Sequence, residues 1–198
     1  MRYLEISLKQ LNTLLMIGLT LLLVGCATPK PSAESEFYLL SAPPLPHRPI
    51  DLNSALMVVG PITVADYLKR ASIVTARSKN HYDISKLDQW GGDLEGEIQL
   101  TLVKHLLSLN PEKTYVQYSG LHNTQGAYNL SVDVLRFDAT INGLARLEAT
   151  WAWTDKHRKV VSAGLFSQSR DAGSSIEQSV SAQSELLKQL SQDVLKAL

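Results

Sequence analysis

The single cysteine of the chain, Cys26, directly follows Leu23-Val24-Gly25 at the end of a short apolar run. That order of residues has the form of a bacterial lipobox. Leu23, Val24 and Gly25 are then the processing signal, Cys26 is the lipidation site, and the peptide before it is removed. A lipidated Cys26 constrains the fold strongly, because it leaves the folded body without a thiol. That body can form no intramolecular disulfide and has no cysteine nucleophile or cysteine metal ligand. An oxidising compartment permits disulfides without requiring them. The hydrophobic core therefore has to hold the fold.

A transmembrane helix is the competing reading of the apolar run. Leu14 to Val24 is 11 residues, interrupted only by Gly18 and Thr20. At ~1.5 Å per residue it reaches roughly 16 Å, about half of a bilayer core. Starting at Leu11 adds Asn12 and Thr13 and still falls short. Arg2 and Lys9 supply the positive region that precedes a signal-peptide core. A buried cysteine in a core helix is a third reading. The polar, proline-containing stretch from Ala27 to Glu36 argues against it.

The sequence thus divides into a signal peptide (1–25), a lipidated N-terminus and flexible tether (26–36), and a single periplasmic α+β domain (37–198). Removing the signal peptide leaves 173 residues, enough for a substantial core. One acyl chain binds a membrane marginally, but a mature bacterial lipoprotein usually carries three. In enterobacterial systems Asp at the second mature position favours inner-membrane retention. Ala27 stands there, so the expected location is the periplasmic face of the outer membrane. The tether holds Pro29 and Pro31. At ~3.1 Å per residue in polyproline II it spans up to about 30 Å.

Without its first 25 residues the chain has 17 basic and 18 acidic side chains, scattered without runs of one sign. A nucleic-acid partner would need a basic excess or stripe, so that class is excluded. A search for an enzyme finds no catalytic set. His47, His81, His105, His122 and His157 include no pair at metal-ligand spacing. There is no Gly-x-Ser-x-Gly elbow and no phosphate-binding loop. Gly91-Gly92 lacks the third glycine and the Lys-Ser/Thr of such a loop, and reads as a strand-to-helix turn. No cofactor is expected beyond the lipid on Cys26, and His105 reads as a partly buried, satisfied side chain.

Hydrophobic periodicity supplies the elements. Phe37 to Leu40, Ala55 to Val64, Ser72 to Ala76, His81 to Ile84 and Thr114 to Tyr118 read as strands. Gly60-Pro61 implies a bulge, break or edge within the second of them. Tyr128, Leu130, Val132 and Val134 alternate with polar residues, and then the phase flips to Leu135, Phe137 and Ala139. A period-2 flip needs one extra residue, which predicts a β-bulge near Val134-Leu135. Asn142-Gly143 predicts a type I′ turn into Leu147, Ala149, Trp151 and Trp153. Asp155 to Arg158 turns into a last strand over Val160 to Arg170. Leu94, Ile98, Leu102, Leu106 and Leu109 make one helical stripe that ends at Asn110-Pro111. Ser174-Ser175-Ile176-Glu177 fits a capping box opening a second amphipathic helix. The expected class is α+β, with a largely antiparallel sheet of about seven strands and two amphipathic helices packed on one face. Trp151 and Trp153 are core under a helix, or an outward sticky patch. Tyr67 and Leu68, beside Lys69 and Arg70, are either tucked into the sheet or presented to a partner.

Phe37-Tyr38-Leu39-Leu40-Ser41 soon after the lipobox resembles the opening of the ABC-type transport auxiliary lipoproteins, PqiC-like members in particular. The stretch from Val64 to Arg77 resembles the family's valine, tyrosine-leucine, isoleucine-valine and arginine pattern. Trp90 followed by Leu94, Ile98, Leu102 and Leu106 resembles its tryptophan-led helix. Lys69 stands where the family usually has an acidic residue, and Ala71-Ser72 replaces a proline-containing pair. The resemblance implies a non-enzymatic subunit of a lipid-transport machine. Its partners would be a periplasm-spanning tunnel protein of the MCE class and that protein's inner-membrane polytopic partner. It is compatible with a homo-oligomeric ring around the tunnel tip; the turn with Tyr67, Leu68 and Arg70 is the candidate partner contact, and the departures from the family pattern fall in that turn. A lipid-binding carrier is the alternative, and a periplasmic hydrolase the third reading.

Overall fold

The computed structural model describes residues 10, 12, 13, 16, 32–47, 49, 56–119 and 128–198. Leu23, Val24, Gly25, Cys26 and His122 lie outside the described residues. The chain forms two compact units, Met1–Glu34 and Ser35–Leu198. In the first, Gln10, Asn12, Thr13 and Met16 are helical.

The second unit runs β1 (Glu36–Tyr38), β2 (Leu56–Val64), a 3-10 turn (Asp66–Leu68), β3 (Ser72–Ser78), β4 (His81–Trp90), α1 (Leu94–Leu109), β5 (Thr114–Gln117), β6 (Tyr128–Ala139), β7 (Leu144–Thr154), β8 (Val160–Asp171) and α2 (Ile176–Lys196). The class is α+β, but the sheet has eight strands rather than about seven, and it is mixed. β3 with β4, β6 with β7, and β7 with β8 are antiparallel. β1 with β4, β2 with β5, and β2 with β6 are parallel. The physical reason is connectivity. Antiparallel neighbours are joined by short turns with local signals, whereas parallel neighbours need long crossovers. β2 meets β5 only after β3, β4 and α1 have intervened.

The long hairpins follow the alternation. On β7 Ala145, Leu147, Ala149, Trp151 and Trp153 are all buried, and the residues between them are not. On β6 the pairing passes from Val134↔Ala149 to Arg136↔Glu148, so Leu135 is the extra, half-exposed residue of the expected bulge. Phe137 and Ala139 return to the buried face beyond it. The tip of this hairpin differs from a type I′ turn. Asn142 has φ 57°, but Gly143 does not share a positive φ. Gly143 N–H closes the turn on Thr140 O at 2.9 Å, while Asn142 N–H donates to Gly173 O at 2.8 Å. Docking on the β8–α2 connection, not strand twist alone, shapes the turn.

Gly60-Pro61 is a bulge, as the register of β2 against β6 slips between Val59 and Ile62. Gln99 of α1 caps it. Its side-chain N–H donates to Val59 O at 2.7 Å and to Tyr118 O at 3.0 Å. Gly60 has φ +118°, and a Cβ there would stand 2.6 Å from Gln99 Nε2 and 2.7 Å from Tyr118 Cβ. Gly60→Ala should therefore destabilise by about 1–3 kcal/mol through backbone strain, read as a lowered urea midpoint with unchanged slope.

Asp93 caps α1 by accepting from Gly96 N–H at 3.0 Å, and Gly91-Gly92 form the turn before it. α1 is more enclosed than one stripe implies. Thr101, Val103, His105 and Leu107 are buried along with Ile98, Leu102 and Leu106, while Leu109 is 38% exposed. β2, β5 and α2 all contact it. α2 begins with a capping box one residue later than expected. Ser175 Oγ accepts from Gln178 N–H, and Gln178 Oε1 accepts from Ser174 N–H at 2.6 Å. α2 contacts β6, β7 and β8, and Val194 O accepts a 3.0 Å bond from the Trp153 indole. Trp151 and Trp153 are thus core residues.

Candidate functional site

β3 meets β6 by a single ladder pair, Thr75↔Ala139. Beside that pair lies the one fully buried carboxylate among the described residues, Asp138. Arg136 and Asp138, two residues apart on β6 just beyond the bulge at Leu135, share a strand face. Arg136 Nε donates to Asp138 Oδ2 at 2.7 Å and its Nη2 to Oδ1 at 3.2 Å, a two-toothed pair. Two tyrosines from elsewhere complete the cluster. Tyr67, in the 3-10 turn, and Tyr82, on β4, each donate a hydroxyl to Asp138 Oδ2 at 3.4 Å. Their rings lie 5.2 Å apart. Tyr67 Oη also accepts Phe137 N–H at 3.3 Å. Burial first, and then the Asp138 charge, raise both phenols above their ordinary pKa. Both stay protonated and act as donors. The cluster joins β6 to β4 and to the turn between β2 and β3.

The same turn borders a cleft of ≈500 Å³ with Val64, Leu68, Lys69, Arg70, Asp93 and Glu95 in its walls. Leu68 is buried in the core, Tyr67 is half-buried, and Arg70 and Lys69 are exposed. The charged walls are held by their surroundings rather than by one another. Arg70 Nε donates to Tyr67 O at 2.8 Å, Lys69 pairs with Asp66 at 2.9 Å, and Glu95 Oε1 accepts Val64 N–H at 3.2 Å. Mixed charge presented on a fixed turn suits a polar protein contact. A second cleft of ≈350 Å³ is apolar and lies between Leu45, Pro46 and Pro49 on one side and Leu100, Val103 and Leu107 of α1 on the other. Among the described residues no group of three or more His, Cys, Asp or Glu is placed to hold a metal ion, and no helix is long and apolar enough to cross a membrane.

Of the residues singled out in the sequence, the structure brings Tyr67 into the cluster, Leu68 into the core and Arg70 to the cleft rim. Sequence reasoning missed Asp138, Arg136 and Tyr82. The spacing Arg136-x-Asp138 just after a predicted bulge is the one signal that could have found the pair, since it sets opposite charges side by side on a strand.

This α+β architecture recurs in solved structures. A crystal structure of an uncharacterized protein matches with a TM-score of 0.67 at 21% identity, covering 83% of this chain and 98% of its own. Protein XCC0632 from Xanthomonas campestris, assigned to DUF330, matches with a TM-score of 0.61 at 16% identity, covering 81% and 93%. Both share the fold. Among proteins of curated function, none matches the sequence significantly. The model of the ABC-type transport auxiliary lipoprotein component family matches residues 38–195, and the chain belongs to that family.

Proposed function

We propose that this chain is the outer-membrane-anchored, non-enzymatic docking subunit of an MCE-type transenvelope phospholipid transport system. The family match over residues 38–195 carries the reading, because it makes the chain an auxiliary component of a transporter. The lipobox at Leu23-Val24-Gly25-Cys26 supports anchoring, and Ala27 supports the outer membrane as its site. The one fully buried carboxylate among the described residues, Asp138, is held by Arg136 and two tyrosines, which supports a structural rather than a catalytic use of it. Its partners in this reading are the periplasm-spanning tunnel protein, the inner-membrane polytopic protein and further copies of itself. Both helices are taken to cover one sheet face, supported by the Trp153–Val194 bond and the alternate burial along β7.

The test is photocrosslinking in intact envelopes. A crosslinkable residue at Arg70 or Lys69, both exposed, should trap the tunnel protein. A scan that also includes Leu165, 81% exposed on β8, and that traps no MCE-class protein from any position would sink the reading.

A further inference from the structure

Residues 39–47 cross the junction of α1 and α2 as a strap. Leu40 is buried in the core, and Ser41 N–H donates to Ser184 Oγ of α2 at 2.9 Å. Beneath the strap lies His105 of α1, only 5% exposed. Its ring makes a hydrogen bond to the Ser41 backbone. Its other polar atom, Nε2, is sealed from solvent and has no partner. The Ser184 hydroxyl cannot donate to it, because that proton goes to Val180 O at 2.8 Å. From α2, Glu185 and Lys188 face the ring with opposite charges. Glu185 is shared by Lys188 and by Arg170 of β8, each at 3.7 Å. The described strap residues contribute one titratable side chain, His47, which is exposed.

We propose that His105 is an acid-sensitive latch: while the ring is neutral the strap stays closed over α1 and α2, and a proton on Nε2 releases it. That proton would create a charged donor in a sealed position with no acceptor, an arrangement that buried polar groups avoid. Something must give. The ring belongs to a helix enclosed on its other sides by β2, β5 and α2. The strap is the thinner cover, with Ser41, Pro44, Leu45 and Pro46 already exposed. Burial holds the imidazole below its ordinary pKa. An open strap restores the ordinary value, so the open form takes up the proton first. Closure is therefore complete above about pH 6.5 and is lost as pH falls below it. Opening would bare the apolar wall of the second cleft at Leu100, Val103 and Leu107.

Hydrogen–deuterium exchange of the full-length lipidated protein in detergent tests this, read on the peptide spanning residues 39–47 at pH 7.5 and 5.5 and corrected for intrinsic rates. The wild type should lose strap protection on acidification, by up to ~10-fold per pH unit for one proton, while β7 stays protected. His105→Phe, or His105→Gln should the phenylalanine variant not fold, should abolish the pH dependence. Ser184→Ala should lower protection at both pH values and keep the slope. Equal wild-type protection at the two pH values would overturn the proposal, and so would an unchanged slope in a folded His105 variant. The readout is independent of any transport partner.

Discussion

Asp138→Ala should lower the unfolding free energy by about 2–3 kcal/mol, the cost of removing the shared acceptor of three donors. The carboxylate is 0% exposed and the Arg136 side chain 25%. Its removal leaves two phenol hydroxyls without that acceptor and the Arg136 guanidinium with Glu148, 3.9 Å away, as its one remaining carboxylate. Urea unfolding followed by tryptophan fluorescence measures the change, since Trp90, Trp151 and Trp153 are all buried reporters. The double variant Arg136→Met/Asp138→Leu should recover most of the loss, because it removes both charges at once and leaves neither unpaired. A single-variant loss below about 1 kcal/mol would mean that water reaches the carboxylate and carries its charge.

Cys26→Ala should abolish processing and lipidation together. The polypeptide would keep its first 25 residues and lose the mass of its acyl chains, both visible in intact mass spectra. Envelope fractionation should find it missing from the outer membrane. The basis is simple: each buried methylene contributes ~0.8 kcal/mol of anchoring, and this variant retains none of the acyl methylenes. Normal outer-membrane anchoring of Cys26→Ala would refute the lipobox reading and the location built on it.

Local features were legible in the sequence because their causes are local. The phase flip at Leu135 predicted the bulge, since one inserted residue must invert the faces of a strand. Alternation put Trp151 and Trp153 on one face, and their burial makes that face the core rather than an outward patch. The capping box was offset by one residue because Ser174 and Ser175 offer the same chemistry, and only the reach of Gln178 decides between them. What stayed hidden depends on distant parts of the chain. Parallel pairing of β2 with β5 and β6 leaves no mark in either strand. The enclosure of α1 is set by α2 and the sheet, not by its own stripe. Asp138 reads as a solvent-facing residue on an alternating strand until Tyr67 and Tyr82 arrive from far along the chain to cover it.

Thr75↔Ala139 is the sole rung between β3 and β6. Mechanically, the sheet is two plates, β1, β4 and β3 in one and β5, β2, β6, β7 and β8 in the other, joined by that one backbone rung and by the side-chain rivets of Tyr67 and Tyr82 on Asp138. Load across that line therefore falls on the tyrosine–carboxylate rivets, which couple the two plates where backbone pairing is thinnest.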